Sequence, residues 1–160
     1  MSTQINPPLG HGSSNTWIKV IVLTLVLAVI AFFLSPNAPL GAFWAPGPDV
    51  PVPTASQLPL FILLNIAEAL AFGLGLSFLA FGYPAMQALS PASPLLMRAA
   101  HLSIVWLLAN WWPHDSLHLH NGLNLGGLLA IEYIFHVTLM LAGVILAYFF
   151  LTLQGRSAAA

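Results

Sequence analysis

Four long apolar runs, separated by proline-containing segments, constrain the fold of this chain more than any other feature. The runs cover about residues 17–34, 57–83, 95–112 and 125–153. Each has at least the roughly 18 residues that a helix needs to cross a bilayer core of about 30 Å. Helices are expected because lipid leaves no partner for an unpaired backbone group. The chain is therefore predicted to be an all-α integral membrane protein, a single domain over 1–160 with four transmembrane helices in an antiparallel bundle.

Composition supports the same class of protein. Hydrophobic residues make up 59% of the chain and charged residues only 4%. So few polar groups cannot cover a water-facing surface, so the surface must contact lipid or other protein. The net charge of −1 gives no reason to expect a nucleic-acid partner.

Three segments lie outside the runs. Residues 1–16 are polar, with glycine, serine and proline, and are predicted to form a flexible N-terminal arm. Residues 35–56 are rich in proline and are predicted to be an outer loop, since proline interrupts both helices and central strands. Pro113 is expected to end the third run, which leaves residues 113–124 as a second, histidine-rich outer loop.

The cations indicate the orientation of the spans. Lys19, Arg98 and Arg156 all fall on one side if the chain crosses four times. The positive-inside rule then favours N-in, C-in topology in a bacterial inner membrane, with the histidine-rich loop on the non-cytoplasmic side. A competing interpretation is a secretory signal, in which Lys19 precedes the apolar stretch and Pro39–Ala42 is a weak cleavage site.

The histidine-rich loop carries the first candidate metal site. Its ligand-type side chains are His114, Asp115, His118 and His120. His114 and His118 would share one face of a helix, whereas His118 and His120 would share one face of an extended segment. With no cysteine in the chain, such a nitrogen-rich set suits copper(II), zinc or nickel. The alternative is that these are interfacial side chains whose hydrogen bonds tie the loop to the proline-rich loop.

Ionisable residues inside the runs form the second candidate site. Glu68 and His136 each lie roughly 16 Å below the predicted outer ends of their spans, and His101 lies roughly 18 Å below Pro113. Charged groups at this depth are costly unless they face partners. We therefore expect an interior polar column of five residues from three helices. Its members are Glu68, His101, Glu132 and His136, with Asn65 supporting Glu68 from three residues before it.

Three interpretations of this column remain open. It could be structural glue that fixes helix register through hydrogen bonds. It could hold a transition metal, because Glu132 and His136 resemble half of a carboxylate-bridged metal site in a helical bundle, although such sites use Glu-x-x-His spacing. It could also be a proton or ion path. A haem or chlorophyll-type pigment between His101 and His136 is a weaker alternative, since Glu residues are poor neighbours for a large macrocycle.

Two classes of function follow from these sites. In the first, a small membrane protein binds copper, zinc or iron for redox chemistry or metal transfer. In the second, the chain is an accessory subunit of a larger respiratory, photosynthetic or oxygenase-type membrane complex, or a homo-oligomer, with the polar residues as interhelical glue. An oligomeric pathway for protons, ions or small solutes is a third choice. The sequence contains no nucleotide-binding loop or Ser-His-Asp arrangement, so it identifies no catalytic residue.

Overall fold

A computed structural model describes residues 12–89 and 93–157, and these residues form helices and turns without a strand. The helices are α1 (Gly12–Leu34), a short 3₁₀-helix (Gly41–Trp44), α2 (Leu58–Phe81), α3 (Tyr83–Leu89), α4 (Pro94–Ala109), α5 (Trp111–Asn121), α6 (Leu125–Ile131), a π-helix (Glu132–Val137) and α7 (Thr138–Ser157). Residues 12–16, predicted as part of a flexible arm, belong to α1, and the rest of that arm lies outside the described residues.

Three helical segments are long and apolar enough to cross a membrane. They are Asn15–Leu34, Leu58–Phe81 and Leu125–Gln154, the last of which joins α6, the π-helix and α7. The predicted all-helical fold is thus confirmed for the described residues, and the three apolar helices are consistent with the predicted membrane protein. The third predicted run corresponds to α4, which is apolar but has only 16 residues.

Helices α1 and α2 pack as an antiparallel pair with small and hydroxyl side chains between them. Thr24 Oγ1 donates a hydrogen bond to Ser77 Oγ (3.1 Å), and Ser35 Oγ donates one to Asn65 Oδ1 (2.7 Å). Gly73 lies so close to α1 that a Cβ there would overlap the carbonyl oxygen of Thr24. Small residues permit this approach of two backbones, which stabilises helix pairs in lipid through packing and interhelical hydrogen bonds.

Helices α4 and α5 follow one another along α2. A Cβ at Gly75 of α2 would lie 2.8 Å from Ala109, the last residue of α4. Trp112, near the start of α5, contacts the Phe72 ring one turn further out on α2 (4.9 Å between ring centroids). The interruption between the two helices falls at Asn110 because Pro113 has no N–H for the carbonyl of Ala109, and its ring crowds that carbonyl.

The prediction that residues 113–124 form a loop is wrong, because α5 covers most of them. Pro113 occupies the first turn of α5, where its missing N–H would have had no helical partner in any case. Gly122 ends α5 with a φ of +56°, which agrees with the turn expected from Asn121-Gly122. Asn124 then caps α6, since its side chain accepts a hydrogen bond from Gly127 N (3.1 Å).

The last long segment, Leu125–Gln154, packs mainly on α4. The rings of Trp106 and Phe135 stack at 5.6 Å, and Trp106 Nε1 donates a hydrogen bond to Thr138 Oγ1 (2.8 Å). The principal contacts between long helices join α1 to α2, α2 to α4 and α4 to α7. The helices therefore stand in a row. The α5 helix and the π-helix meet in the half of the row that holds the end of α1 and the start of α2, called the outer half after the predicted orientation.

Candidate functional site

Two histidines on one face of α5 form the centre of the candidate site. His114 Nε2 and His118 Nε2 lie 3.1 Å apart, as expected for residues one helical turn apart. The Nδ1 atom of buried His114 lies 2.7 Å from Asp115 Oδ1. The carboxylate accepts the Nδ1 proton, which leaves the Nε2 lone pair of neutral His114 facing His118.

Asp115 extends this arrangement to α2. Its carboxyl group lies close enough to the carboxyl group of Glu68 for the two to interact. Glu68 is partly buried and lies roughly 15 Å along α2 from Leu58. A carboxyl pair is thus held within the helical array, below its outer end.

The π-helix brings a second acid and a third histidine to α5. Glu132 and His136 are hydrogen-bonded through Oε2 and Nδ1. The His136 ring lies 5.0 Å from the His114 ring, and the Phe135 ring lies 5.2 Å from it. The wider turn of a π-helix allows two consecutive side chains to meet the same neighbour, and π-helices are frequent at functional sites.

These contacts define one group of six side chains from three segments, called the polar cluster below. Its members are Glu68, His114, Asp115, His118, Glu132 and His136. The cluster is enclosed on the α5 side and open on the π-helix side. The side chain of His114 is 10% exposed, whereas those of His136 and Glu132 are 43% and 51% exposed.

Two members of the predicted polar column have other hydrogen-bond partners. His101 is buried, with Nε2 2.9 Å from the carbonyl oxygen of Phe78 and its ring 5.5 Å from the Tyr83 ring. Asn65 bonds to Ser35. His101 therefore does not join Glu68 and His136, whereas the support of Glu68 by Asn65 stays a prediction.

The error has a geometric cause. The depth of His101 was counted from Pro113, but helical structure continues to Asn121, about 12 Å further out. Counted from Asn121, His101 lies roughly 30 Å below the outer end of α5, close to the opposite end of the array. His114 takes the place at the level of His136 that the sequence had given to His101.

His120 is also separate from the polar cluster. Its Nδ1 atom lies 3.0 Å from the carbonyl oxygen of Ala45, and the neighbouring Leu119 carbonyl accepts a bond from Gly47 N (2.9 Å). Asp49 accepts a bond from Leu123 N just beyond α5. These contacts tie the outer end of α5 to the proline-rich segment. Such hydrogen bonds between the histidine-rich and proline-rich segments are the alternative to metal binding given in the sequence analysis.

The side chains of the cluster do not converge on one point. Within the described parts of the chain, no group of three or more His, Asp or Glu is arranged to hold a metal ion. The pair His114–His118 does have suitable spacing. Two nitrogens bound to one ion at about 2.0–2.1 Å stand about 2.9–3.4 Å apart in octahedral or tetrahedral geometry, and the observed separation is 3.1 Å.

Sequence reasoning missed Asn110, which lies between α4 and α5. Its side chain is completely buried, one turn before His114. The available signal was its i−4 spacing from His114, but the break expected at Pro113 hid the relationship.

Comparison with protein-family models, curated proteins and solved structures gave no match.

Proposed function

We propose that the polar cluster binds one transition metal ion, copper, zinc or iron, inside the membrane. The ligands are the imidazoles of His114, His118 and His136. The observation that carries the proposal is the 3.1 Å separation between the Nε2 atoms of His114 and His118, which is the spacing of two ligands on one ion. Imidazole ligands suit all three metals.

The carboxylates support this assignment by their positions behind the imidazoles. Asp115 bonds His114 at Nδ1, and Glu132 bonds His136 at Nδ1. Each contact uses the Nδ1 atom and leaves the Nε2 atoms of His114 and His136 available to bind a metal. A carboxylate on the second nitrogen of a ligating histidine fixes its tautomer and raises its basicity. Glu68 lies on the far side of this group, where it interacts with the carboxyl group of Asp115.

Metal capture requires a small movement of His136. Its ring is in contact with His114, but the three imidazoles do not converge. A rotation of the His136 side chain about its own bonds would bring Nε2 toward the pair. The side chain is 43% exposed, so neighbouring atoms leave room for that rotation.

The position of the cluster supports a membrane-embedded site. In this proposal α4 and α5 together make the third of four crossings, broken at Asn110, with both chain ends in the cytoplasm. The fourth crossing contains the π-helix. Interrupted helices at membrane depth are tolerated where they line a polar site, and transporters place binding sites at such interruptions.

Metal analysis of detergent-purified protein tests the proposal. The protein should retain one copper, zinc or iron ion per chain, and His118→Ala should abolish retention. His120→Ala is the matched control, because His120 lies two residues away on α5 but bonds Ala45. Absence of metal from the unsubstituted protein, or its loss in His120→Ala with retention in His118→Ala, would overturn the proposal.

A proton relay is the second candidate function. It is favoured by a row of polar groups in which Glu68 lies beside Asp115, and hydrogen bonds join Asp115 to His114 and His114 to His118. Carboxyl and imidazole groups in such a chain can hold and pass protons within a membrane. Proton flux into proteoliposomes that is lost in Glu68→Gln, with no metal bound, would favour this function. No flux, no metal and a co-purifying large partner would favour the accessory-subunit interpretation.

A further inference from the structure

An ionisable pair lies on the surface of the last membrane-length segment. Glu132 and His136 are hydrogen-bonded to each other, and their side chains are 51% and 43% exposed. They lie roughly 10 and 16 Å along the segment from its first residue, Leu125, within the apolar core that it crosses in the proposed topology. Ionisable groups at that depth normally face protein or a water-filled cavity, because lipid offers them no partner. The exposed part of this pair therefore needs polar groups to cover it.

The chain itself covers the pair from one side. The His136 ring contacts the His114 ring at 5.0 Å. Farther around the segment, Phe135, Ala142 and Phe149 are buried, and α4 is the principal neighbour of α7 among the long helices. Since α7 is the last helix of the row, a helix of another chain can approach the surface that α4 leaves uncovered.

Small side chains continue the exposed side of the segment beyond the pair. Met140 is 63% exposed, and a Cβ at Gly143 would meet nothing within 4 Å. Small residues let two helix backbones approach each other in lipid. Residues that follow at intervals of three or four share one face of a helix. This face, called the docking face below, consists of Glu132, His136, Met140, Gly143 and Ala147.

The ionisable pair is complementary to a second copy of itself. With His136 protonated, the pair is neutral and has an N–H donor at Nε2 and a carboxylate oxygen on Glu132 beyond the atoms that bond each other. The carboxylate and the imidazole lie at one level, because they are hydrogen-bonded. A two-fold axis along the membrane normal brings equal positions together at equal depth, so each donor meets the acceptor of the other copy.

We infer that two copies of this chain associate through the docking face, with His136 Nε2 of each copy donating a hydrogen bond to Glu132 of the other. The inference does not rest on the proposed function. It concerns the metal-free protein, because capture of a metal would turn His136 Nε2 inward, away from the second copy.

Cysteine cross-linking in membranes tests the inference, since the chain has no cysteine of its own. Met140→Cys places a thiol on the docking face, where the two-fold axis brings it to the same thiol of the second copy. Oxidation by iodine, with EDTA to keep the protein free of metal, should give a disulfide-linked dimer. Leu141→Cys is the matched control, because Leu141 is 59% exposed at the same depth but lies about 100° around the helix. It should give little cross-linked dimer.

Substitution of the ionisable pair tests what holds the two copies together. Glu132→Leu and His136→Leu, made together in the Met140→Cys chain, remove both polar side chains and leave an apolar surface that lipid can cover. The rate of cross-linking should fall about tenfold, the effect of losing two hydrogen bonds between helices in lipid.

Three results would overturn the inference. They are equal cross-linking at positions 140 and 141, including none at either, cross-linking at 140 that the double leucine substitution leaves unchanged, and a cross-linked product containing a different protein. If the leucine variant fails to accumulate in the membrane, Glu132→Gln replaces it, since an amide no longer stabilises the protonated imidazole. Unchanged cross-linking in that variant overturns the inference as well.

Discussion

At the scale of single residues, the chemistry of the cluster depends on carboxylates that hold imidazoles. Asp115 accepts the Nδ1 proton of His114 and so presents the Nε2 lone pair to His118. An uncharged side chain at position 115 would hold the His114 ring less firmly. It would also no longer raise the basicity of that imidazole as a metal ligand.

Asp115→Asn should therefore weaken metal binding about 10- to 100-fold, the usual effect of losing a carboxylate behind a ligating histidine. Equilibrium competition with a chromophoric chelator measures this. Asp49→Asn makes the same substitution at a carboxylate that bonds Leu123 N outside the cluster, and its affinity should match wild type. Equal affinities in the two variants would contradict the role assigned to Asp115.

Ser35 is a second residue with a specific, testable role. It accepts a hydrogen bond from Trp112 Nε1 (2.8 Å) and donates one to Asn65, and so joins α1, α2 and α5. Ser35→Ala should lower the free energy of unfolding in detergent by about 1–2 kcal/mol, since it leaves buried polar groups unpaired. Ser56→Ala, at an exposed position beyond the helices, should change it little.

The residue types of the site were predictable from the sequence, but their partners were not. The six members of the polar cluster stand out in the sequence because ionisable groups are rare in this apolar chain. Which of these residues come into contact depends on how far each helix is shifted along its axis relative to its neighbours. Residue counting gave the wrong height for the third segment, because it stopped at Pro113, so His101 was included and the link from Asp115 to Glu68 was missed.

At the scale of elements, two helical irregularities build the site. The break at Asn110 lets helical structure continue past Pro113 into α5. The π-helix directs both Phe135 and His136 at His114. Periodicity in the sequence predicts the long helices well, since their apolar runs are unambiguous. It carries no comparable signal for the π-helix, whose Phe135 ring packs against Trp106 and His114.

Deletion of Ile134 tests the π-helix. One residue fewer would restore a regular α-helix and turn the segment before the deletion by about 100° relative to α7. With α6 held in its place against α5, His136 should turn away from His114 and metal retention should fall sharply, while the helix content by circular dichroism stays close to wild type. Ile134→Ala is the control, because Ile134 is exposed and contributes no group to the cluster. Normal metal retention in the deletion variant would count against the π-helix as a site element.

The close contact between α1 and α2 is tested by adding a single methyl group. Gly73→Ala would press a Cβ against the Thr24 carbonyl, a backbone group that cannot move freely. The expected destabilisation is about 1–3 kcal/mol, as for other overpacked interfaces. At Gly143 a Cβ would meet nothing within 4 Å, so Gly143→Ala should be neutral in the same denaturation assay. Equal stability of the two variants would refute the contact.

At the scale of the whole molecule, the row of helices places the cations at one end. Lys19 lies near the start of α1, Arg98 near the start of α4 and Arg156 near the end of α7. Antiparallel packing of successive helices brings these three positions to the end opposite the polar cluster. This arrangement supports the orientation predicted from the sequence, which also requires four crossings and stays a prediction.

Reporter fusions at the two termini test the four proposed crossings. Because α4 and α5 count as one crossing, both termini should be cytoplasmic, where a fluorescent protein folds and alkaline phosphatase stays inactive. A phosphatase active at the C-terminus and inactive at the N-terminus would mean an odd number of crossings. The proposal that α4 and α5 together make one crossing would then be wrong.

The central claim is that α5 and the π-helix supply three imidazoles to one metal ion. X-ray absorption spectroscopy of the zinc-loaded protein tests this claim most directly, with His136→Ala and His101→Ala as a matched pair. Wild type and His101→Ala should show three imidazole nitrogens at about 2.0–2.1 Å, and His136→Ala should show fewer or lose the zinc. An unchanged spectrum in His136→Ala would contradict the claim.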